Sequence, residues 1–123
     1  MPKSKKIKWL PSPHDGNYPA AESYLTLLFD LSAAKLLVQK LKAAKTIEFK
    51  SKDIFRASNL SLLGISNSHV KKDRKKIKEG KPLSPILLVR DQDLRKVIIA
   101  DGYHRMCAVY YFDEDAIIPC KIV

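Results

Sequence analysis

No apolar run in this chain of 123 residues approaches the roughly 18–20 residues needed to span a bilayer, so no membrane-spanning segment is expected. The N-terminal lysines Lys3, Lys5, Lys6 and Lys8 lead into Trp9-Leu10-Pro11, which opens no apolar signal-peptide core. A cytoplasmic protein without a membrane partner is expected. Cysteine is also scarce. Cys107 falls in a predicted helix and Cys120 in a predicted strand, so a disulfide framework is not expected and both read as core thiols. Three scattered histidines add no metal-ligand spacing. Internal repeats and long low-complexity segments are missing as well.

Positive charge is what the chain has in excess. A formal net charge of +10 on an otherwise ordinary composition, 46% hydrophobic and 29% charged, points to an anionic partner such as a nucleotide or a nucleic acid. The length suits one domain with a single core. Residues 1–19, rich in Lys, Pro and Ser, show no hydrophobic period and predict a flexible basic arm, with Trp9 and Leu10 as its only anchors. Helical spacing follows over Ala20–Phe29 and over Ser32–Ala44, with Asp30 or Ser32 as the cap of the second segment. A single bent helix over both segments is the alternative.

From Thr46 the pattern changes. Thr46–Lys50 alternates like a half-buried strand, and Ser51–Arg56 predicts a short helical turn capped by Ser51. After a loop over residues 59–67, Asn67 or Ser68 can cap a helix from His69 to Glu79, stopped by Gly80 and Pro82. Strands at Ile86–Arg90 and Arg95–Ala100 read as a hairpin. A helix over His104–Phe112 and a last strand over Ile117–Val123 complete a small domain whose strands gather toward the C-terminus.

The most specific stretch is the junction Asp101-Gly102-Tyr103-His104-Arg105 between a strand and a helix. The first turn of a helix offers unpaired amides and a positive dipole end, which together favour a phosphate group. Gly102 permits close backbone approach, Arg105 supplies a forked cation, and His104 can donate a hydrogen bond or carry a proton near neutral pH. Asp101 can accept from a hydroxyl or hold a metal, or it can simply cap the helix. Tyr103 can stack on a base or pack in the core. Upstream, Val70 and Ile77 share a face that would dock the basic helix on the sheet, while His69, Lys72 and Lys76 form a stripe beside that buried edge. Lys71, Lys75 and Lys78 point more toward solvent.

Three stretches together resemble the ParB/sulfiredoxin superfamily: Pro85-Ile86-Leu87-Leu88-Val89, then Asp101-Gly102-Tyr103-His104-Arg105-Met106-Cys107-Ala108, then Ile118-Pro119-Cys120-Lys121-Ile122-Val123. The resemblance covers residues 46–123 and implies an α+β fold, a small mixed sheet flanked by helices, with residues 20–45 as an N-terminal helical extension. It assigns phosphate binding to Gly102, Tyr103, His104 and Arg105, with His69, Lys72 and Lys76 contributing from the upstream helix. Two departures bear on activity. Tyr103 stands where sulfiredoxins carry a catalytic Cys, and Gly-Tyr-His-Arg replaces the Gly-Glu-Arg-Arg type box of ParB proteins; no DNA-reading helix-turn-helix domain is expected after Val123. The junction is nearest to the Asp-Gly-His-His-Arg corner of free-serine kinases in the superfamily, which leaves phosphoryl transfer open with Asp101 and His104 as catalytic candidates and Glu48 as a weaker one.

The sequence therefore predicts a nucleotide-phosphate-binding domain, with ATP or CTP and Mg²⁺ as the implied cofactors and phosphotransfer or nucleotide hydrolysis as the implied chemistry. A nucleic-acid-binding module or ParB-like nuclease is the alternative. A third reading is an interaction protein that dimerises through its N-terminal helices and keeps the corner as a relic.

Overall fold

Four consecutive apolar residues in each of two adjacent strands, Ile86–Val89 and Val97–Ala100, require cover on both sheet faces, and this requirement shapes the molecule. In the computed structural model, which describes residues 6–123, four strands form one mixed sheet in the order β1-β4-β2-β3. These are β1 (Ile47–Lys50), β2 (Ile86–Asp91), β3 (Lys96–Asp101) and β4 (Ile117–Ile122). β4 pairs antiparallel with β1 and parallel with β2, and β2 and β3 form the expected antiparallel hairpin. The helices are α1 (Asn17–Leu25), α2 (Leu31–Ala43), α3 (Ser51–Ser58), α4 (Ser68–Lys78) and α5 (Tyr103–Phe112). The fold is α+β, with helices flanking the sheet.

Alternation along the central strands sorts the core into two layers. Ile86, Leu88, Val97, Ile99, Ile118 and Cys120 face α3, α4 and α5, where they meet Ile54, Val70, Ile77, Met106 and Val109. Leu87, Val89, Ile98 and Ala100 face the other way and meet Tyr18, Ala21, Leu25, Val38 and Leu41 of α1 and α2. Residues 20–45 are thus the second layer of the sandwich. They bury the face of β2 and β3 that would otherwise lie bare. Both thiols are buried in the first layer, and burial pushes Cys120 up to about 12.

Several local expectations are corrected. The first five residues of the expected flexible arm lie outside the described residues, but from Lys8 onward the segment is pinned. Trp9 forms a parallel bridge with Leu83, the Leu10 amide donates to the Leu83 carbonyl at 2.8 Å, and the Leu83 amide donates to Lys8 at 2.8 Å. Pro13 is buried, and the His14 amide and Asn17 Nδ2 both donate to Ser84 Oγ. α1 starts at Asn17 instead of Ala20, because Pro19 sits in the first turn, where its missing N–H costs nothing. α1 and α2 are separate helices, and Asp30 caps the second by accepting from the Ala33 amide at 2.8 Å. Ser51 does not cap α3; its buried hydroxyl donates to the carbonyls of Asp113 and Glu114, tying α3 to the turn before β4. Asn67 caps α4. No helix of the described residues is long and apolar enough to cross a membrane.

One buried charge has no sequence-level forecast. Lys121 on β4 is 8% exposed and donates from Nζ to the Lys42 carbonyl, 2.9 Å away in the last turn of α2. It satisfies a helix-end carbonyl that would otherwise lack an intrahelical partner. Its Nζ also lies 5.8 Å from the centre of the Tyr18 ring.

Candidate functional site at the junction of α4 and α5

α5 begins immediately after β3, with Gly102 at the turn. Gly102 takes φ +112° and ψ 16°, a conformation that L side chains rarely adopt. No side chain caps the helix, and the first bond into the turn runs from the Met106 amide to the Gly102 carbonyl at 2.9 Å. The amides of the first turn are thus uncapped donors. The need for glycine comes from inside the protein. A Cβ at position 102 would meet Ile86 Cβ at 2.7 Å and Arg105 Nη2 at 2.9 Å, so that side of the backbone is already filled. Close ligand approach, the reason offered by the sequence, is not what excludes a side chain here.

Arg105 and Asp101 straddle the glycine. Arg105 Nη2 lies 3.1 Å from Asp101 Oδ2, and the two side chains are only 17% and 21% exposed. Asp101 therefore does not cap α5; it holds the guanidinium across the turn. Arg105 Nε is buried without any hydrogen-bond partner. A buried N–H left unpaired is costly, on the order of 1–3 kcal/mol, so this guanidinium is held in place by its surroundings and not by complete pairing. Tyr103 is partly buried and packs against the core. Its hydroxyl donates to the Ser61 carbonyl, and the Tyr111 hydroxyl donates to Leu63 at 2.7 Å, so α5 ties down the loop that precedes α4.

Val70 and Ile77 are buried, as their shared face predicts, but the main partner of α4 is α5 and not the sheet. This brings His69 onto His104, with ring centres 4.7 Å apart. Beside them on α4 sits Asp73, whose charge is felt by His104 in turn. Its half-buried carboxyl is held above the ordinary carboxylate value by burial, while Arg105, Lys76, His104 and Lys72, in that order, pull it down. The expected residues Lys72, which is exposed, and Lys76, which is half-buried, thus act on the same carboxyl as His104 and Arg105. Asp73 follows His69 by four and precedes Lys76 by three, so the stripe that singled out its neighbours could have found it. Glu48 lies elsewhere, exposed on β1 opposite Pro119. Arg74 is used structurally, 5.8 Å over the Tyr111 ring.

His104 reports on the crevice. Burial holds its pKa below 6.5, His69 and Arg105 push the same way, and Asp73 opposes them. The unfolded chain therefore takes up a proton near pH 6.5 before the folded protein does. The stability tied to neutral His104 is complete above that pH and is lost as the pH falls through it toward the lower folded-state value. Asp73 has the opposite sign at lower pH, because its raised pKa penalises the ionised form that dominates as the pH rises above 3.8. Melting temperatures measured from pH 8 to pH 5 should decline more steeply for the wild type than for His104→Gln; equal slopes would refute the assignment.

No family model, no curated protein and no solved structure matches this chain. The chemistry open to the site rests on its own groups: Lys72, Lys76 and Arg105, two imidazoles and two carboxylates, gathered near the uncapped start of α5.

Proposed function

We propose that the crevice between α4 and α5 binds the phosphate groups of a nucleotide, as the resemblance to the ParB/sulfiredoxin superfamily implies. The observation that carries this reading is the grouping of Arg105, Lys76, His104 and Lys72 around Asp73, with His69 against His104 in the uncapped first turn of α5. The cations outnumber Asp73 and Asp101, and Asp101 is already committed to Arg105. Such a site suits an anion better than a bare metal ion. No cluster of three or more His, Cys, Asp or Glu able to hold a metal lies among the described residues. Mg²⁺ would thus enter as the counter-ion of ATP or CTP, neutralising phosphate charge. Within this reading Gly102 sets the turn, Tyr103 fixes the loop above it, and His104 is the group that would move a proton if there is turnover. A cytoplasmic setting suits a nucleotide ligand.

Thermal-shift titrations with ATP, CTP, GTP and ADP, each with Mg²⁺, test the reading. A ligand held at roughly 100 times its Kd should stabilise the fold by about 3 kcal/mol. Lys72→Ala and Lys76→Ala, which touch little of the core, should each weaken binding several-fold, and Arg105→Ala should abolish it. No shift with any nucleotide would sink the proposal.

Nucleic-acid binding is the second reading, supported by the exposed outer face of α4 with Lys71 and Lys75 and by Lys81 beyond it. Glu79 offsets part of that face, lying 4.0 Å from Lys75 and 3.3 Å from Lys81. Short DNA or RNA bound with a steep salt dependence, in the absence of any nucleotide effect, would favour it. Self-association through the N-terminal helices is supported by the exposure of Tyr24, Leu27, Leu28 and Leu31 where α1 passes into α2.

A further inference from the structure

The hairpin turn between β2 and β3 lies at the other end of the sheet from Asp101, about 17 Å along β3 at ~3.4 Å per residue. There, between α3 and the strands, lies a cavity of about 660 Å³. Its walls are hydrocarbon from Phe49, Ile54, Leu88 and Val97, and its rim carries Arg90, Arg95 and Lys96. Small-molecule sites commonly span roughly 300–1,000 Å³ with apolar walls and few polar groups. The cavity fits that description.

The rim charges are unevenly engaged. Asp53 pairs with Arg56 at 3.6 Å, and Asp91 accepts from the Leu94 amide at 3.2 Å. Arg90, Arg95 and Lys96, by contrast, make no ion pair among the described residues. Three cations without partners at the mouth of a hydrocarbon pocket complement one kind of ligand: an apolar body with an anionic head. Arg95 owes its position to the turn, where it adopts φ +53°, in the left-handed region.

We propose that this cavity is a second ligand site, distinct from the α4–α5 crevice, for a small amphiphilic anion whose hydrocarbon part lies against Phe49, Leu88 and Val97 and whose head meets Arg90, Arg95 and Lys96. A carboxylate and a phosphate monoester share the required chemistry. Burial of the tail supplies the attraction, and the cations select the sign of the head.

Decanoate, decyl phosphate, decanol and decyltrimethylammonium, kept below their micelle concentrations, test this by titration into isotope-labelled protein while the methyl signals of Ala57, Leu88 and Val97 are followed. One or both anions should shift these methyls and bind at least about ten-fold more tightly than the cation, the factor expected for one charge-assisted contact. Decanol should fall between them. Ala57→Trp, at an exposed position lining the cavity, should abolish binding without unfolding the chain. The pair Arg95→Asn and Lys96→Gln, with Asn suited to the left-handed backbone, should weaken the anions about ten-fold and leave decanol unchanged. Arg105→Ala should have no effect, which separates this site from the nucleotide reading. Equal binding of anion and cation, binding that survives Ala57→Trp, binding only to anionic vesicles, or a concentration-dependent dimer that covers these methyls would each overturn the proposal.

Discussion

Replacing Gly102 with Ala should destabilise the protein more than any other single methyl addition at the candidate site. A non-glycine residue at φ +112° is strained, and its Cβ would meet Ile86, which is fully buried, and the guanidinium of Arg105. Backbone strain and overpacking each cost on the order of 1–3 kcal/mol, so a loss of about 3–5 kcal/mol is expected. For a chain of this size that corresponds to a fall in Tm of about 10–20 °C. The double variant with Ile86→Ala should lose less than the sum of the two single losses, by more than about 1 kcal/mol, because removing the isoleucine branches makes room for the new methyl. A Gly102→Ala protein that melts within a few degrees of wild type would show that the turn is more yielding than its packing indicates.

Lys121→Ala should have the next largest effect. The substitution removes a buried donor from the Lys42 carbonyl and the hydrocarbon stem that lies beneath α1 and α2. A hydrogen bond to a charged group contributes about 1.5–3 kcal/mol, and loss of the packed stem raises the expected cost to about 2–4 kcal/mol. Lys121→Met keeps most of the stem, so its smaller loss isolates the contribution of the donor. Hydrogen exchange should quicken at the amides in the last turn of α2 in both variants, while α4 and α5 should be affected only through the change in global stability. A loss below about 1 kcal/mol for Lys121→Ala would mean that Lys42 finds water instead.

The sheet and most helices were legible because their signals are local. Unbroken apolar runs mark β2 and β3, Asn67 and Gly80 bracket α4, and Val70 with Ile77 show which side of α4 is buried. What escaped depends on distant partners. The segment around Trp9 has no period because it is held by a short bridge to Leu83, far along the chain. Lys121 carries no local sign of burial, since its acceptor lies 79 residues away. At the candidate site, the residue types and the stripe on α4 were readable. Asp73 was passed over because an acid in a basic helix looks like charge balance, and only the docking of α5 shows what surrounds it. Gly102 was singled out correctly as special, but for a ligand; the contact with Ile86 that makes it necessary crosses from one strand to the end of another.

The order of strands also governs when the molecule can come into being. β1 and β2 are not paired with each other; each pairs with β4, which comes after both along the chain. During synthesis the β2–β3 hairpin can close early, while β1 must wait with its pairing edge bare until Ile117–Ile122 slots between the two.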